Sequence, residues 1–187
     1  MWDREAFNQF VINHGVVGFF DAPRTLKSGR QSHWYANWRT VTQDVHSTLE
    51  LARYVISYTL DEGLHPDCFY GVPEGATKLA LATQLHWAHE MVGCCPGSHS
   101  YAMGRGKPKE HGDPKDRYFL GIPRGKTIVI EDVTTTGGSL LNTLDQLLEA
   151  DVSIIAAIGL TNRQEVNDEG RSVMDLVSEK GIEYLNM

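Results

Sequence analysis

The stretch from residue 127 to residue 139 holds the side chains best suited to chemistry in this 187-residue chain. Three β-branched apolar residues lead to two acids, Glu131 and Asp132, which are followed by hydroxyl side chains and two glycines. Unpaired backbone N–H groups at a helix start, together with the helix dipole, favour a bound phosphate. Because carboxylates accept hydrogen bonds from sugar hydroxyls, the pattern predicts a site for ribose 5-phosphate.

The residues on either side of this loop predict a strand before it and a helix after it. The apolar run before Glu131 fits a strand buried on both faces of a parallel sheet, and leucines recur at helical spacing after Ser139. An isolated turn of this composition more often only caps a helix, here through Asp132 or Thr136. That explanation is the alternative to a phosphate site.

The uninterrupted thirteen-residue string resembles the motif with which type I phosphoribosyltransferases bind phosphoribosyl pyrophosphate (PRPP). The resemblance implies an α/β fold with a mostly parallel central sheet flanked by helices and a small N-terminal hood. It also implies PRPP contacts from Glu131, Asp132, Val133, Thr134, Thr135, Thr136, Gly137, Gly138 and Ser139. Two other phosphate motifs do not fit, since Gly-x-x-x-x-Gly-Lys-Ser/Thr is lacking and Gly104-Arg105-Gly106 has no third glycine.

The composition indicates one globular domain, residues 1–187, of which the resemblance assigns about 1–40 to the hood over the base pocket. Hydrophobic residues make up 41% and charged residues 22% of the chain. The net charge of −7 argues against nucleic-acid or anionic-membrane partners. There is no signal-peptide pattern, and no apolar run of roughly 18 residues that could span a bilayer. Three cysteines, expected to be buried thiols, suit a reducing compartment, and we expect a cytoplasmic protein.

Apolar spacing predicts helices at residues 3–14, at 44–62 and after residue 76, with Asp3 and Asp44 as N-caps. The predicted apolar face of the second helix consists of Val45, Leu49, Ala52, Val55, Ile56 and Leu60. Short strands are expected at residues 67–72, 91–95, 100–103 and 152–160. Residues 171–187 indicate a final helix and strand.

Residues 26–39 predict two extended arms around a Ser-Gly-Arg turn, which is a β-hairpin. On spacing alone the aromatic side chains would be packing residues and Lys27 a solvated one. The sequence Leu-Lys-Ser-Gly-Arg-x-Ser-x-x-Tyr-x-Asn, however, resembles the N-terminal signature of the orotate phosphoribosyltransferases. In that family the lysine and the aromatic segment face the pyrimidine, so the resemblance assigns Lys27, Tyr35 and Ala36 to the orotate site.

Arg163 directly follows the strand predicted at residues 152–160, within the sequence Asn-Arg-Gln-Glu. Ligands of open α/β sheets bind beyond the carboxyl ends of the strands, and a guanidinium can hold a planar carboxylate through two hydrogen bonds. An isolated arginine there is usually part of a surface ion pair. In the orotate family the matching segment supplies the arginine that meets the orotate carboxylate. The resemblance therefore assigns Arg163, together with Thr135, to the base.

The segment from residue 104 to residue 117 is rich in glycine, proline and charge and predicts a mobile loop. Loop charge usually serves only solvation. Here the sequence resembles Arg-Lys-x-x-Lys-x-His-Gly, the lid that closes over pyrophosphate in the orotate enzymes. The matching residues are Arg105, Lys109, His111 and Gly112. Gly106 replaces the first lysine of the pattern, and Lys107 is the candidate substitute for PRPP binding.

These matches imply that orotate and PRPP give orotidine 5′-monophosphate and pyrophosphate, with Mg²⁺, in pyrimidine biosynthesis. Positive charge grows on the ribose in such a reaction, and negative charge grows on the departing pyrophosphate. Glu131 and Asp132 would offset the first charge, whereas Lys109, His111, Arg105 and the metal would offset the second. Mg²⁺ would be held mainly by substrate oxygens and water, because it gives up its waters reluctantly.

Two alternatives stay open. One is a related enzyme for another base, because the family's lysine or aromatic side chain is replaced by Glu74 and Gly75 in the loop after the strand at 67–72. The other is a non-catalytic PRPP-binding regulator, although Lys109 and His111 favour an enzyme. The resemblance further implies a homodimer in which each lid completes the site of the neighbouring subunit.

Overall fold

The structure is a computed structural model that describes residues 1–26, 29–91, 93–111 and 117–187. Its elements, in chain order, are α1 (Arg4–Asn13), β1 (Val17–Thr25), β2 (Gln31–Ala36), α2 (Arg39–Thr42), α3 (Val45–Asp61), β3 (Cys68–Gly71), α4 (Thr77–Glu90), β4 (Met103–Gly104), β5 (Phe119–Leu120), β6 (Thr127–Thr134), α5 (Gly138–Glu149), β7 (Ile154–Asn162), α6 (Val173–Ser178) and β8 (Glu183–Asn186).

The central sheet consists of four parallel strands in the order β3-β6-β7-β8. Side chains alternate between its two faces, so that Ile128 and Ile130 pack with α1, α3 and α4 while Val129 packs with α5 and α6. Both faces are therefore covered by helices, as the sequence predicts. Parallel pairing also brings the carboxyl ends of β3, β6 and β7 to one edge of the sheet.

The two helices for which the sequence predicts an N-cap begin at that residue. Asp3 caps α1 by accepting a hydrogen bond from the Ala6 N–H at 3.0 Å, and Asp44 caps α3 through the Ser47 N–H at 2.8 Å. Phe7 on α1 belongs to the main core, so this part of the predicted hood is packed against the body of the protein.

The predicted apolar face of α3 is partly wrong. Val45, Leu49 and Leu60 are exposed by 76%, 38% and 45%, and the helix buries Leu51 and Thr48 instead. The apolar side chains spread over more of the helix circumference than one stripe can bury. A buried position near either end of α3 therefore could not be chosen from spacing alone.

Two small antiparallel sheets lie outside the central sheet. One is the predicted hairpin, in which β1 pairs with β2. The other is a two-residue ladder, in which Met103 pairs with Leu120 and Gly104 with Phe119 at the base of the predicted lid. The strand expected at residues 91–95 is wrong for its described residues, which form a bend and a turn.

The expectation of three buried thiols is correct only for Cys68, which lies in β3. Cys94 and Cys95 are exposed in the turn that follows α4, and all three cysteines are free. Apolar burial of cysteine follows from a position in the core, and the turn offers no such position.

Candidate active site

The phosphate loop joins β6 to α5, and its geometry excludes the helix-cap explanation. The N-cap of α5 is Gly137, and among the described residues no side chain caps the helix, so neither Asp132 nor Thr136 serves that purpose. Gly137 has φ +85°, and a β-carbon there would press on the side chain of Val173. The first backbone N–H groups of α5 are therefore presented without a competing side-chain oxygen.

Glu131 and Asp132 lie where β6 meets this loop. Glu131 is 6% exposed, whereas Asp132 is half-buried and lies against the backbone of Gly75, in the loop between β3 and α4. A β-carbon at residue 75 would collide with the Asp132 carboxylate. Gly75 is thus explained by the close approach of this acid, a reason that the sequence alone does not reveal.

Thr134 ties the phosphate loop to β8 and to the residue that follows β7. Its Oγ1 accepts a hydrogen bond from the Tyr184 hydroxyl at 2.9 Å, and its carbonyl accepts one from the Arg163 N–H at 2.9 Å. Burial raises the pKa of Tyr184 to about 12, so this hydroxyl is a protonated donor at neutral pH. The Thr134 side chain is 1% exposed and supports the loop, and its contact with PRPP stays a prediction.

A cavity of about 260 Å³ opens at this edge of the sheet. It brings together the hairpin, the β3–α4 loop, the phosphate loop and the carboxyl end of β7. Its walls consist of Leu26, Tyr35, Ala36, Asn37, Arg39, Pro73, Glu74, Gly75, Glu131, Asp132, Val133, Thr135, Ser139 and Arg163. Residues from four separated segments of the sequence therefore share one site.

Arg163 is held firmly in the wall of this cavity. Its Nε donates to Glu165 Oε1 at 2.7 Å, its Nη1 to the Trp34 carbonyl at 3.2 Å and its Nη2 to Ser32 Oγ at 2.9 Å. The guanidinium also stacks on the Trp34 ring, with 3.9 Å between Cζ and the ring centroid. Its side chain is 4% exposed, so the guanidinium is held in one orientation in the cavity wall.

The base of the predicted lid is held to the residues that directly precede β5 by backbone hydrogen bonds. Backbone hydrogen bonds from the Arg105 N–H to the Tyr118 carbonyl and from the Lys109 N–H to the Arg117 carbonyl, each 2.8 Å long, extend the two-residue ladder. None of the four cationic or histidine side chains predicted to bind pyrophosphate belongs to the described cavity lining; they are Arg105, Lys107, Lys109 and His111. Lys27 and Gly112, also predicted for the site, fall outside the described residues.

Glu74 and Gly106, two departures from the family pattern, lie against each other. A β-carbon at residue 106 would collide with the Glu74 carboxylate. Gly106 therefore gives the base of the lid room to lie on the β3–α4 loop, at the position where the family pattern has a lysine. How Lys107 takes part stays a prediction.

Of the residues assigned to the base, the structure places Tyr35, Ala36, Thr135 and Arg163 around the same cavity. Sequence reasoning missed Leu26, Asn37, Arg39 and Pro73, which also line it. Asn37 was already part of the quoted hairpin signature, so its position could have been inferred. Arg39 carried no signal of its own, because its approach to the cavity depends on how α2 follows the hairpin.

The described residues contain no group of three or more acid, histidine or cysteine side chains placed to hold a metal ion. The three carboxylates in the cavity wall, from Glu74, Glu131 and Asp132, supply oxygen ligands of the kind that Mg²⁺ prefers. In the ranges that the structure covers, no helix is long and apolar enough to cross a membrane.

Comparison with known proteins gives consistent results at the level of sequence and of fold. No protein-family model matches the chain. The orotate phosphoribosyltransferase of Bradyrhizobium diazoefficiens is 32% identical over 150 residues, which cover 75% of this chain and 74% of that relative.

Two solved structures share the fold. The orotate phosphoribosyltransferase of Francisella tularensis aligns with a TM-score of 0.70 and 21% identity, covering 97% of this chain and 84% of that one. The enzyme of Mycobacterium tuberculosis in complex with PRPP aligns with a TM-score of 0.66 and 17% identity, covering 98% and 93%. These likenesses confirm the predicted type I phosphoribosyltransferase fold, and with the sequence identity to the Bradyrhizobium protein they show that the chain belongs to the orotate phosphoribosyltransferase family.

Proposed function

We propose that this protein transfers the phosphoribosyl group of PRPP to orotate, giving orotidine 5′-monophosphate and pyrophosphate in pyrimidine biosynthesis. The observation that carries the proposal is the single cavity in which the phosphate loop and its acids face Arg163. A solved relative of the same fold binds PRPP, which supports PRPP as the donor substrate. The cavity thus has a ribose-phosphate end and a base end.

At the base end, Arg163 is the partner of the orotate carboxylate. A guanidinium has five N–H donors, and the protein acceptors described above use three of them. The remaining donors and the positive charge suit a planar carboxylate. Tyr35, with 44% of its surface exposed, supplies an aromatic face beside this position.

At the ribose end, Glu131 and Asp132 hold the ribose hydroxyls and offset the positive charge that develops at the anomeric carbon as the bond to pyrophosphate breaks. Their electrostatic contribution grows with that charge, so it acts on the transition state more than on the bound substrate. The N–H groups at the start of α5 and the hydroxyls of Thr135 and Ser139 receive the 5′-phosphate. Ring nitrogen attack by orotate then completes the transfer.

Mg²⁺ is the proposed cofactor, and it supplies charge neutralisation on the pyrophosphate. The cavity carboxylates offer oxygen contacts of the kind that Mg²⁺ prefers. When bound, the metal would be held mainly by substrate oxygens and water, with the carboxylates of Glu131 and Asp132 available to it, and Lys109 and His111 would act on the same leaving group from the lid.

We further propose a homodimer in which the lid of one subunit acts on the cavity of its partner. The cross-subunit arrangement is what the family resemblance implies, and none of the described lid cations is among the residues that line the cavity of its own subunit. A cytoplasmic location is part of the proposal, supported by three free cysteines, two of which are exposed.

The test is the loss of orotate absorbance when the purified protein is mixed with Mg²⁺ and PRPP. We expect turnover of orotate and, with uracil in its place, a rate lower by at least about 30-fold, because a buried guanidinium would lose its partner. Equal use of uracil or a purine would instead show an enzyme for another base. If calorimetry shows that PRPP binds but no base is turned over, the protein is a non-catalytic PRPP-binding regulator.

A further inference from the structure

The carboxylate of Glu165 joins two arginines that are far apart in the sequence. Its Oε1 accepts from Arg163 Nε at 2.7 Å, and its Oε2 accepts from Arg30 Nη1 at 3.1 Å. Arg30 lies at the tip of the β1–β2 hairpin, whereas Arg163 follows β7. One acid therefore ties the hairpin tip to the edge of the central sheet.

The backbone around Glu165 is shaped to return its side chain toward Arg163. Gln164 has φ +55°, an uncommon value for a residue other than glycine. Its N–H donates to the Asn162 side-chain oxygen at 2.8 Å, which holds this conformation. Strained residues of this kind persist where their surroundings fix them, often at functional sites.

A second contact strengthens the attachment of the hairpin tip. Arg30 Nη2 donates to the Val166 carbonyl at 2.5 Å, so the guanidinium spans two neighbouring acceptors. The tip itself is closed by a hydrogen bond from the Leu26 N–H to the Arg30 carbonyl at 2.8 Å. Because Leu26 lines the cavity, the position of the tip fixes part of the cavity wall.

The charges of this cluster do not cancel, since Glu165 faces two arginines. The exposed fractions of the side chains fall from 38% at Arg30 through 17% at Glu165 to 4% at Arg163. Arg163, the most buried of the three side chains, is the one that lines the cavity. An anionic group beside it would pair with the net positive charge of this cluster, which a neutral ligand could not do.

We propose that Glu165 is a positioning residue for the base substrate. It orients Arg163 and fixes the hairpin over the cavity, so that affinity for orotate depends on it while affinity for PRPP does not. The inference rests on the proposed function, because it specifies how the base end of that site is built.

The test compares the KM for orotate with the dissociation constant for PRPP in Glu165→Gln. We expect the KM for orotate to rise by about tenfold or more, because the amide can no longer pair with both guanidinium groups, while PRPP binding by calorimetry changes by less than about twofold. Glu165→Asp keeps the charge and should recover part of the loss. Glu179→Gln, at an exposed ion pair with Arg171, is the matched control and should behave as wild type.

A second variant keeps the test decisive if Glu165→Gln does not fold. Arg30→Gln removes only the hairpin tie, leaves the pair of Glu165 and Arg163 intact, and should raise the KM for orotate by about threefold. An unchanged KM for orotate, or an equal loss of affinity for both substrates, would overturn the positioning role. Absence of orotate turnover by the wild-type protein would instead refute the proposed function.

Discussion

Two regions of the site, the carboxyl edge of the sheet and the lid, are built differently. The residues proposed to hold ribose and base lie at the carboxyl edge, where β6 and β7 are paired along seven residue positions and the Arg163 N–H donates to the Thr134 carbonyl. The lid stands on a ladder of two residue pairs, Met103 with Leu120 and Gly104 with Phe119. One region is part of the central sheet, and the described residues of the other are attached through a short antiparallel ladder.

This difference follows the chemistry that each region serves. Ribose and base must be held in one orientation for attack at the anomeric carbon, and a rigid edge achieves that without ordering costs at the time of reaction. The pyrophosphate must be enclosed and then released, for which a loop outside the central sheet is suited. The contact between Gly106 and Glu74 is where the two regions meet.

The largest expected effect comes from a test of whether the lid and the sheet edge of one active site belong to different subunits. Lys109→Ala damages the lid and Asp132→Asn damages the sheet edge, and each variant alone should lose at least about 100-fold in kcat, as when one electrostatic stabiliser is removed. If the lid acts across a dimer, mixing the two variants under exchange conditions should restore roughly a quarter of wild-type activity, since half the dimers are mixed and each has one intact site.

The readout is the rate of orotate loss after exchange, with each variant carried alone through the same treatment as the control. No recovery in a mixture that light scattering shows to be dimeric would place the lid within its own subunit. The comparison between the sheet edge and the lid would then hold within one chain.

A smaller effect is expected where the sheet edge is crowded. Gly75→Ala places a methyl group against the Asp132 carboxylate and should displace it, lowering kcat by about tenfold while leaving the free energy of unfolding within about 1 kcal/mol of wild type. Gly18→Ala, where an added β-carbon meets nothing within 4 Å, is the control. Steady-state kinetics and urea unfolding would check both, and a normal kcat for Gly75→Ala would show that Asp132 needs no exact placement.

The smallest expected effect is a change in stability on removing the hydrogen bond from Tyr184 to Thr134, which supports the phosphate loop. Tyr184→Phe removes the donor to Thr134 and should lower the free energy of unfolding by about 1 kcal/mol at neutral pH, with little change in kcat. Tyr101→Phe, at a tyrosine that is 53% exposed, is the control.

The same tyrosine predicts a pH dependence of stability. Burial raises the pKa of Tyr184 from 10.0 to about 12, so the folded state keeps its proton where the unfolded state has lost it. The stabilisation is complete below pH 10 and is lost as the pH rises toward 12. The difference in melting temperature between wild type and Tyr184→Phe should therefore shrink over that interval, and a constant difference would contradict the assigned cause.

Much of the site was predictable because its residues are neighbours in the sequence. The loop from Glu131 to Ser139 could be read as a phosphate site since strand, acids, glycines and helix follow one another without interruption. Arg163 was assigned through the resemblance of its Asn-Arg-Gln-Glu segment to the orotate family, since its place at the end of a strand would by itself indicate only an ion pair. The exposure of Cys94, Cys95 and Val45 was not predicted, because burial near the ends of elements depends on which neighbour packs there.

The sequence by itself determined the α/β class, most of the order of the elements and the phosphate loop, since these depend on local patterns of apolar, polar and glycine residues. Only the tertiary structure decided why Gly75 and Gly106 stand where they do, and that Glu165 binds both Arg30 and Arg163. These pairs are separated by up to 135 residues. Their contacts arise because parallel pairing gathers strand ends at one edge, which no single stretch of the chain encodes.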